Sequence, residues 1–217
     1  MMFRFRNQFS TPPVVLNLLI INILFFLAAE AFPERAVNML YHTLGLHFWR
    51  SPDFHLWQLF TCMFLHGGIT HLFMNMFALW MFGRTLEYDL GSRRFLSYYM
   101  LCGIGASLIQ SGVYEIEYVF AASEMARFQI GNSLMFGASG AVFGVLLAFG
   151  MMHPNAMIIL LIPPIPMKAK WFVIGYGVLE LILGVSRTAS SIAHFAHVGG
   201  MLFGFFLLLL WRKQRVF

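Results

Sequence analysis

Ser139 stands in MFGASGAVFG, residues 135–144, between Gly137 and Gly140, with nothing bulky beside its hydroxyl. His197 stands in AHVGGMLFG and is followed closely by glycines. His71 and Asn75, in HLFMN, are four residues apart and share one helical face. A serine hydroxyl is a weak nucleophile and needs a base within hydrogen-bond reach. Imidazole suits that task because it titrates near neutrality. Acyl transfer places negative charge on a carbonyl oxygen, and donors aimed at that oxygen are usually the largest single contribution to catalysis. His71, Asn75 and the backbone N–H of Ser139 are the natural donors, since amides near a helix start lack intrahelical partners. Ser139 as nucleophile and His197 as base form a Ser–His pair. No acid accompanies them on their own segments.

The elements that must carry these residues are membrane helices. Of the 217 residues, 59% are hydrophobic and 11% charged, against about half and a quarter in soluble domains. Spanning helices need ~20 mostly apolar residues. Six segments qualify: Val14–Phe32, Ile69–Leu86, Phe95–Tyr114, Ser133–Met152, Trp171–Val185 and Ser191–Trp211. The expectation is an all-α, polytopic, six-transmembrane-helix bundle. It forms a single membrane domain over residues 1–217, with short tails at about 1–12 and 212–217. Between the first two segments, residues 33–68 are rich in aromatics and histidine, which suggests amphipathic helices lying at the interface. Pro163, Pro164 and Pro166 break the chain before the fifth segment. In this scheme Ser139 and His197 each lie six residues into a helix entered from the outer side, about 9 Å deep. Gly140 and Gly144 on one helix, and Gly200 and Gly204 on the other, have the spacing that lets membrane helices approach closely.

Basic residues mark the cytoplasmic flanks of such helices. With the N-terminus inside, Arg84, Arg93, Arg94, Lys168 and Lys170 fall on the inner side, with the basic residues of both tails, and Arg35, Arg50, Arg127 and Arg187 on the outer side. Both termini are then cytoplasmic. Arg4, Arg6 and Ala29-Glu30-Ala31 imitate a cleaved signal peptide, but the apolar stretch between them is longer than a signal core, so it reads as the first span. The net charge of +5 does not indicate nucleic acid, because the basic residues cap apolar runs and form no stripe. Cys62 and Cys102 lie in apolar surroundings and read as buried free thiols.

GASG, a distant AHVGGMLFG and a preceding HLFMN, in that order and spacing, resemble the rhomboid family of intramembrane serine proteases. The resemblance covers about residues 14–211. It implies that Ser139 is the nucleophile and His197 the general base, with His71 and Asn75 at the oxyanion site. It implies that Phe143 packs against the catalytic imidazole, and that the substrates are transmembrane proteins cut near the outer face of the bilayer. No cofactor is implied. Many members carry a Trp-Arg pair in the first loop. Here Trp57 is followed by Gln58, a departure that bears on a loop-anchoring contact and leaves the chemistry alone. A bacterial cytoplasmic membrane is the expected location.

Other readings compete. Small-residue packing alone explains a lone GxSG, with the hydroxyl bonded back to a carbonyl, but not a histidine at matching depth. Metalloprotease chemistry wants H-E-x-x-H on one helix, and that string does not occur. An aspartyl protease needs two aspartates in spans, and Asp53 and Asp89 both fall outside them. A transporter would carry polar residues through to the inner side, where VLLAFG and FFLLLL are apolar. A non-catalytic rhomboid-like adaptor that binds membrane segments is the remaining alternative. His194 is expected at the polar rim, and Glu180, the one acid inside a span, is expected to be paired structurally.

Overall fold

The computed structural model describes residues 10–159, 165–186 and 193–213. Arg4, Arg6, Pro163, Pro164, Arg187, Ser191 and Arg215 lie outside that range. The chain is mostly helical. Helix α1 (Pro13–Ala31) begins on a proline, whose missing N–H costs nothing in a first turn. The next two amides are held by a distant residue: Glu87 accepts from Val14 N–H (3.0 Å) and Val15 N–H (2.7 Å). A buried carboxylate thus satisfies amides that the helix itself leaves open.

The first loop contains α2 (Glu34–Leu44), an amphipathic helix that buries none of its residues, as expected of an interfacial element. Strand β1 (Leu46–His47) follows, then the short α3 (Gln58–Thr61) and a 3₁₀ turn over Cys62–Phe64. Gln58 is fully buried. Its amide donates to the Asp53 carbonyl (2.9 Å), and its oxygen accepts from the backbone N–H groups of His55 (3.1 Å) and His47 (3.3 Å). The loop is therefore anchored through Gln58 itself. The first loop does hold a Trp-Arg pair, Trp49-Arg50, eight residues before Trp57, which corrects the expected departure: both residues donate to Glu115 of the helix Ser92–Val119. They hold its carboxyl below the usual carboxylate range.

Helix α4 (Ile69–Ala78) runs through a π-helical turn (Leu79–Gly83) into α5 (Arg84–Leu90). Gly91, at φ 78°, turns the chain into α6 (Ser92–Val119). The short α7 (Glu124–Gly131) leads to strand β2 (Leu134–Met135), which pairs antiparallel with β1. Then come α8 (Ser139–Met152), a β3–β4 hairpin (Met157–Ile159 with Pro166–Lys168), α9 (Ala169–Ser186) and α10 (His194–Lys213).

Helices α6, α8 and α10 pack on one another and form the centre of the bundle. Glycines set the spacing. A Cβ on Gly200 would overlap the carbonyl of Gly140, and one on Gly140 would overlap Ala106 of α6. A Cβ on Gly144 would come within 2.5 Å of Cys102 Sγ. The close approach read from the four-residue glycine spacing is thus realised, with α6 as a third party to it. Tyr98, fully buried on α6, donates to the Gly144 carbonyl (2.9 Å).

Among the described residues, three helices are long and apolar enough to cross a membrane: Pro13–Ala31, Ala169–Ser186 and His194–Lys213. A fourth crossing forms if Gln58–Phe64 and Ile69–Leu90, bent by 98°, count together. Helix α6 has the length, but Ser107, Gln110 and Ser111 on its buried face lower its hydropathy. Helix α8 has 14 residues, about 21 Å. It starts at Ser139 and not at Ser133, because the preceding residues are drawn into the strand pair with the first loop.

Candidate active site

The strand pair decides where Ser139 sits. After β2 the chain must reverse sharply into α8, and Gly137 does so at φ 134°, where a side chain would be strained. Its N–H donates to the Cys62 carbonyl (2.9 Å). The first helical bond of α8 runs from Val142 N–H to the Ala138 carbonyl (3.0 Å). Ser139 is therefore the first helical residue, not the seventh as a start at Ser133 would make it. Its own amide and the two after it precede any intrahelical partner.

His197, in the first turn of α10, faces Ser139. Its Nε2 lies 2.8 Å from Ser139 Oγ. Phe143, one turn after Ser139, stacks on the imidazole with ring centroids 4.2 Å apart and planes 5° from parallel. On the far side of the ring, Nδ1 lies 2.8 Å from Glu180 Oε2 of α9. A carboxylate only accepts, so Nδ1 carries the proton and Nε2 presents its lone pair to the serine hydroxyl. That tautomer is the one general-base chemistry requires.

Glu180, the one acid expected inside a span and expected to be paired, is the partner of this imidazole. The expectation of His194 at the polar rim is corrected. That residue is buried, and its Nδ1 lies 2.7 Å from the same Glu180 oxygen. Residues three apart share a helical face, so burial of His197 carries His194 inward with it. That spacing is the sequence signal that places both. The carboxylate oxygen and the two Nδ1 atoms lie within 4.8 Å of one another, a separation that a cation could also bridge. Hydrogen bonding accounts for the arrangement as it stands.

His71 lines the same cavity beside Ser139. A Cβ on Gly137 would come within 2.9 Å of the His71 ring and 3.7 Å of Ser139 Oγ, so Gly137 leaves room for the imidazole beside the hydroxyl. Asn75 is buried one turn later and donates one amide proton to the His71 carbonyl (2.9 Å), leaving the other to project. Ser139, His197, Glu180, His71 and Asn75 all line one cavity of about 1890 Å³. Met74 of α4 and Tyr176 of α9 line it too and are themselves exposed, so the cavity opens to the surroundings between these helices.

The Rhomboid domain family model matches residues 53–214. The chain belongs to the rhomboid family. It is a membrane protein of that fold, and the match takes in every residue of the site. The amphipathic first loop is covered only in its second half. Among curated relatives, it is 33% identical over 213 residues to Rhomboid protein 1, mitochondrial, of Saccharomyces cerevisiae, covering 85% of this chain and 57% of that protein. It is 33% identical over 155 residues to Rhomboid protease GluP of Bacillus subtilis, covering 69% of this chain and 25% of that one. A third relative is Presenilin-associated rhomboid-like protein A, mitochondrial, of Danio rerio, at 32% over 157 residues, covering 70% and 38%. The chain thus spans about half or less of the length of these relatives. With mitochondrial proteins among them, they support a membrane location but not the expected bacterial cytoplasmic membrane in particular.

Proposed function

We propose that this rhomboid is an intramembrane serine endopeptidase cutting transmembrane proteins near the outer face of the bilayer. The observation that carries the reading is the 2.8 Å contact between Ser139 Oγ and His197 Nε2, in a cavity that opens between helices. Ser139 Oγ bonds to the scissile carbonyl carbon while its proton passes to His197 Nε2. The carbonyl π pair moves onto oxygen. The free amide of Ser139, the His71 ring and the second Asn75 amide proton are the donors available to that oxyanion. Collapse breaks the C–N bond, and the Nε2 proton goes to the leaving nitrogen. Water, deprotonated by the same imidazole, then releases the acyl group.

Two demands follow. Water must reach Ser139, which the cavity permits. A substrate helix must also unwind locally, because its own hydrogen bonds and side chains shield the scissile bond. Helix-breaking residues near the cut favour cleavage. Six crossings with both termini cytoplasmic would place the helix start at Ser139 toward the outer side. The test is cleavage of a fluorescent single-span substrate in proteoliposomes. Wild type should cut, a Gly-Gly pair near the site should speed cutting over Leu-Leu, and Ser139→Ala should abolish it. If Ser139→Ala leaves the cellular function intact, the adaptor reading replaces this one.

A further inference from the structure

Glu180 raises a question that the Ser–His chemistry leaves open. An ionised carboxylate in a membrane-embedded bundle is costly unless its charge is satisfied. Glu180 is buried, and one of its oxygens, Oε2, accepts from two imidazoles on the next helix. Both bonds come from Nδ1, at 2.7 and 2.8 Å. His194 and His197 are three residues apart and their rings stand 87° to each other, so the carboxylate is approached from two directions. A second donor on the same oxygen further restricts the last torsion of the carboxylate, which is otherwise broad.

Resting on the serine-protease reading, we infer that Glu180 is a positioning residue for His197, and that His194 fixes Glu180 in turn. The chain runs His194–Glu180–His197–Ser139 across α10, α9 and α8. His194 Nδ1–H pins Oε2. Oε2 holds the proton on His197 Nδ1 and so directs the lone pair of Nε2 to Ser139. When Nε2 takes the serine proton, the imidazolium forms against the carboxylate. The Nδ1 proton stays on nitrogen throughout, so Glu180 supplies charge and orientation without taking part in the proton transfer. Phe143 stacks on one face of the ring.

Among the described residues, the polar groups facing His197 are few. They are Ser139 on α8, Glu180 on α9, His194 on its own helix and His71 of α4 across the cavity. Helix α8 carries no charged residue. Helix α6 meets α10 through Ile109 at Gly199 and Tyr98 at Gly204, and its charged residues sit at its two ends.

The experiment compares full-length wild type, Glu180→Gln, Glu180→Asp and His194→Leu in proteoliposomes. It reads kcat, KM and the pH dependence of kcat on one transmembrane substrate, together with fluorophosphonate labelling. Glu180→Gln keeps the shape and an acceptor but removes the charge. Its kcat should fall roughly 10²–10⁴-fold, the range spanned by acid–base catalysis and loss of the orienting acid. KM should stay within about twofold, since Glu180 is set behind the imidazole and away from substrate. The acid limb of its profile should move to lower pH, because the imidazolium loses its counter-charge. Glu180→Asp should restore part of kcat and the wild-type position of the acid limb. His194→Leu should lower kcat by about tenfold, the value of one hydrogen bond to a charged group, again at constant KM. Should Glu180→Gln fail to fold, the Asp and Leu variants carry the same readouts. Unchanged kcat and pH profile in Glu180→Gln, beside a wild type that labels and cleaves, overturn the positioning role and leave the protease reading standing. A wild type that neither labels nor cleaves overturns both.

Discussion

Gly200 of α10 sits directly against the carbonyl of Gly140, the residue after Ser139, with no room between the two helices for even a methyl group. This contact lets a serine on one helix and an imidazole on the next reach hydrogen-bond distance. Gly200→Ala should therefore force α8 and α10 apart. Overpacking of this kind typically costs about 1–3 kcal/mol, and the obstruction here is backbone, which yields less than a side chain. Thermal unfolding in detergent should shift downward, and cleavage should fall by at least 10²-fold, because a displacement near 1 Å can cost that much. An Ala variant with native stability and activity would show that the approach is looser than described.

Much of this site is legible in the amino-acid sequence. Ser139 and His197 stand out because hydroxyls and imidazoles are costly in apolar helices and because each is followed by glycines at packing intervals. The six apolar segments each contain a helix for the same compositional reason. What the sequence hides is what depends on non-local pairing. The start of α8 is set by β2 joining a strand from the first loop, so Ser139 opens its helix and is not deep within it. Glu180 stands on a different apolar segment from His197 and gives no periodic signal of its partnership. His194 reads as a rim residue when distance from a helix end is taken for exposure, but its face decides, and that face is turned inward. The Trp-Arg pair of the first loop is Trp49-Arg50, and only the folded loop reveals that it ties to Glu115 while Gln58 adds a second anchor.

Glu87 gives a second prediction, about stability. It is buried and ties the start of α1 to the start of α6, accepting from Val14, Val15 and the Ser92 hydroxyl. Hydrogen bonds to charged groups are worth ~1.5–3 kcal/mol each, and losing the acceptor strands buried amides. Glu87→Ala should lower stability by about 2–4 kcal/mol. Added to detergent-solubilised protein, a protease should then cleave α1 away faster than in wild type. The chemistry at Ser139 lies elsewhere, so the fraction that remains folded should keep its activity.

The contact of Arg50 and Trp49 with Glu115 makes the first loop sensitive to pH. The folded carboxyl is held below its ordinary range by Arg50 and Trp49. A depressed carboxylate contributes stability above its unfolded pKa, and that contribution is lost as pH falls through the folded value. The tie is exposed and screened, so its effect is local. Proteolysis in the first loop should accelerate on acidification in wild type. In Glu115→Gln it should be fast already at neutral pH and change little. Equal pH dependence in both proteins would remove this role.

Metal dependence can be tested directly, because Glu180, His194 and His197 have the spacing of a cation site. If hydrogen bonds alone organise them, prolonged treatment with EDTA or phenanthroline should leave kcat and KM unchanged. Loss of activity on chelation, restored by zinc, would reassign the three residues.

The central claim is that Ser139 is an activated nucleophile with His197 as its base, and the most direct measurement is labelling of the purified, detergent-solubilised protein with a fluorophosphonate probe. Wild type should label stoichiometrically on Ser139, while Ser139→Ala and His197→Ala should not label. If wild type stays unlabelled while an active rhomboid protease labels in the same detergent, the 2.8 Å contact does not make a nucleophile, and the non-catalytic adaptor becomes the better description.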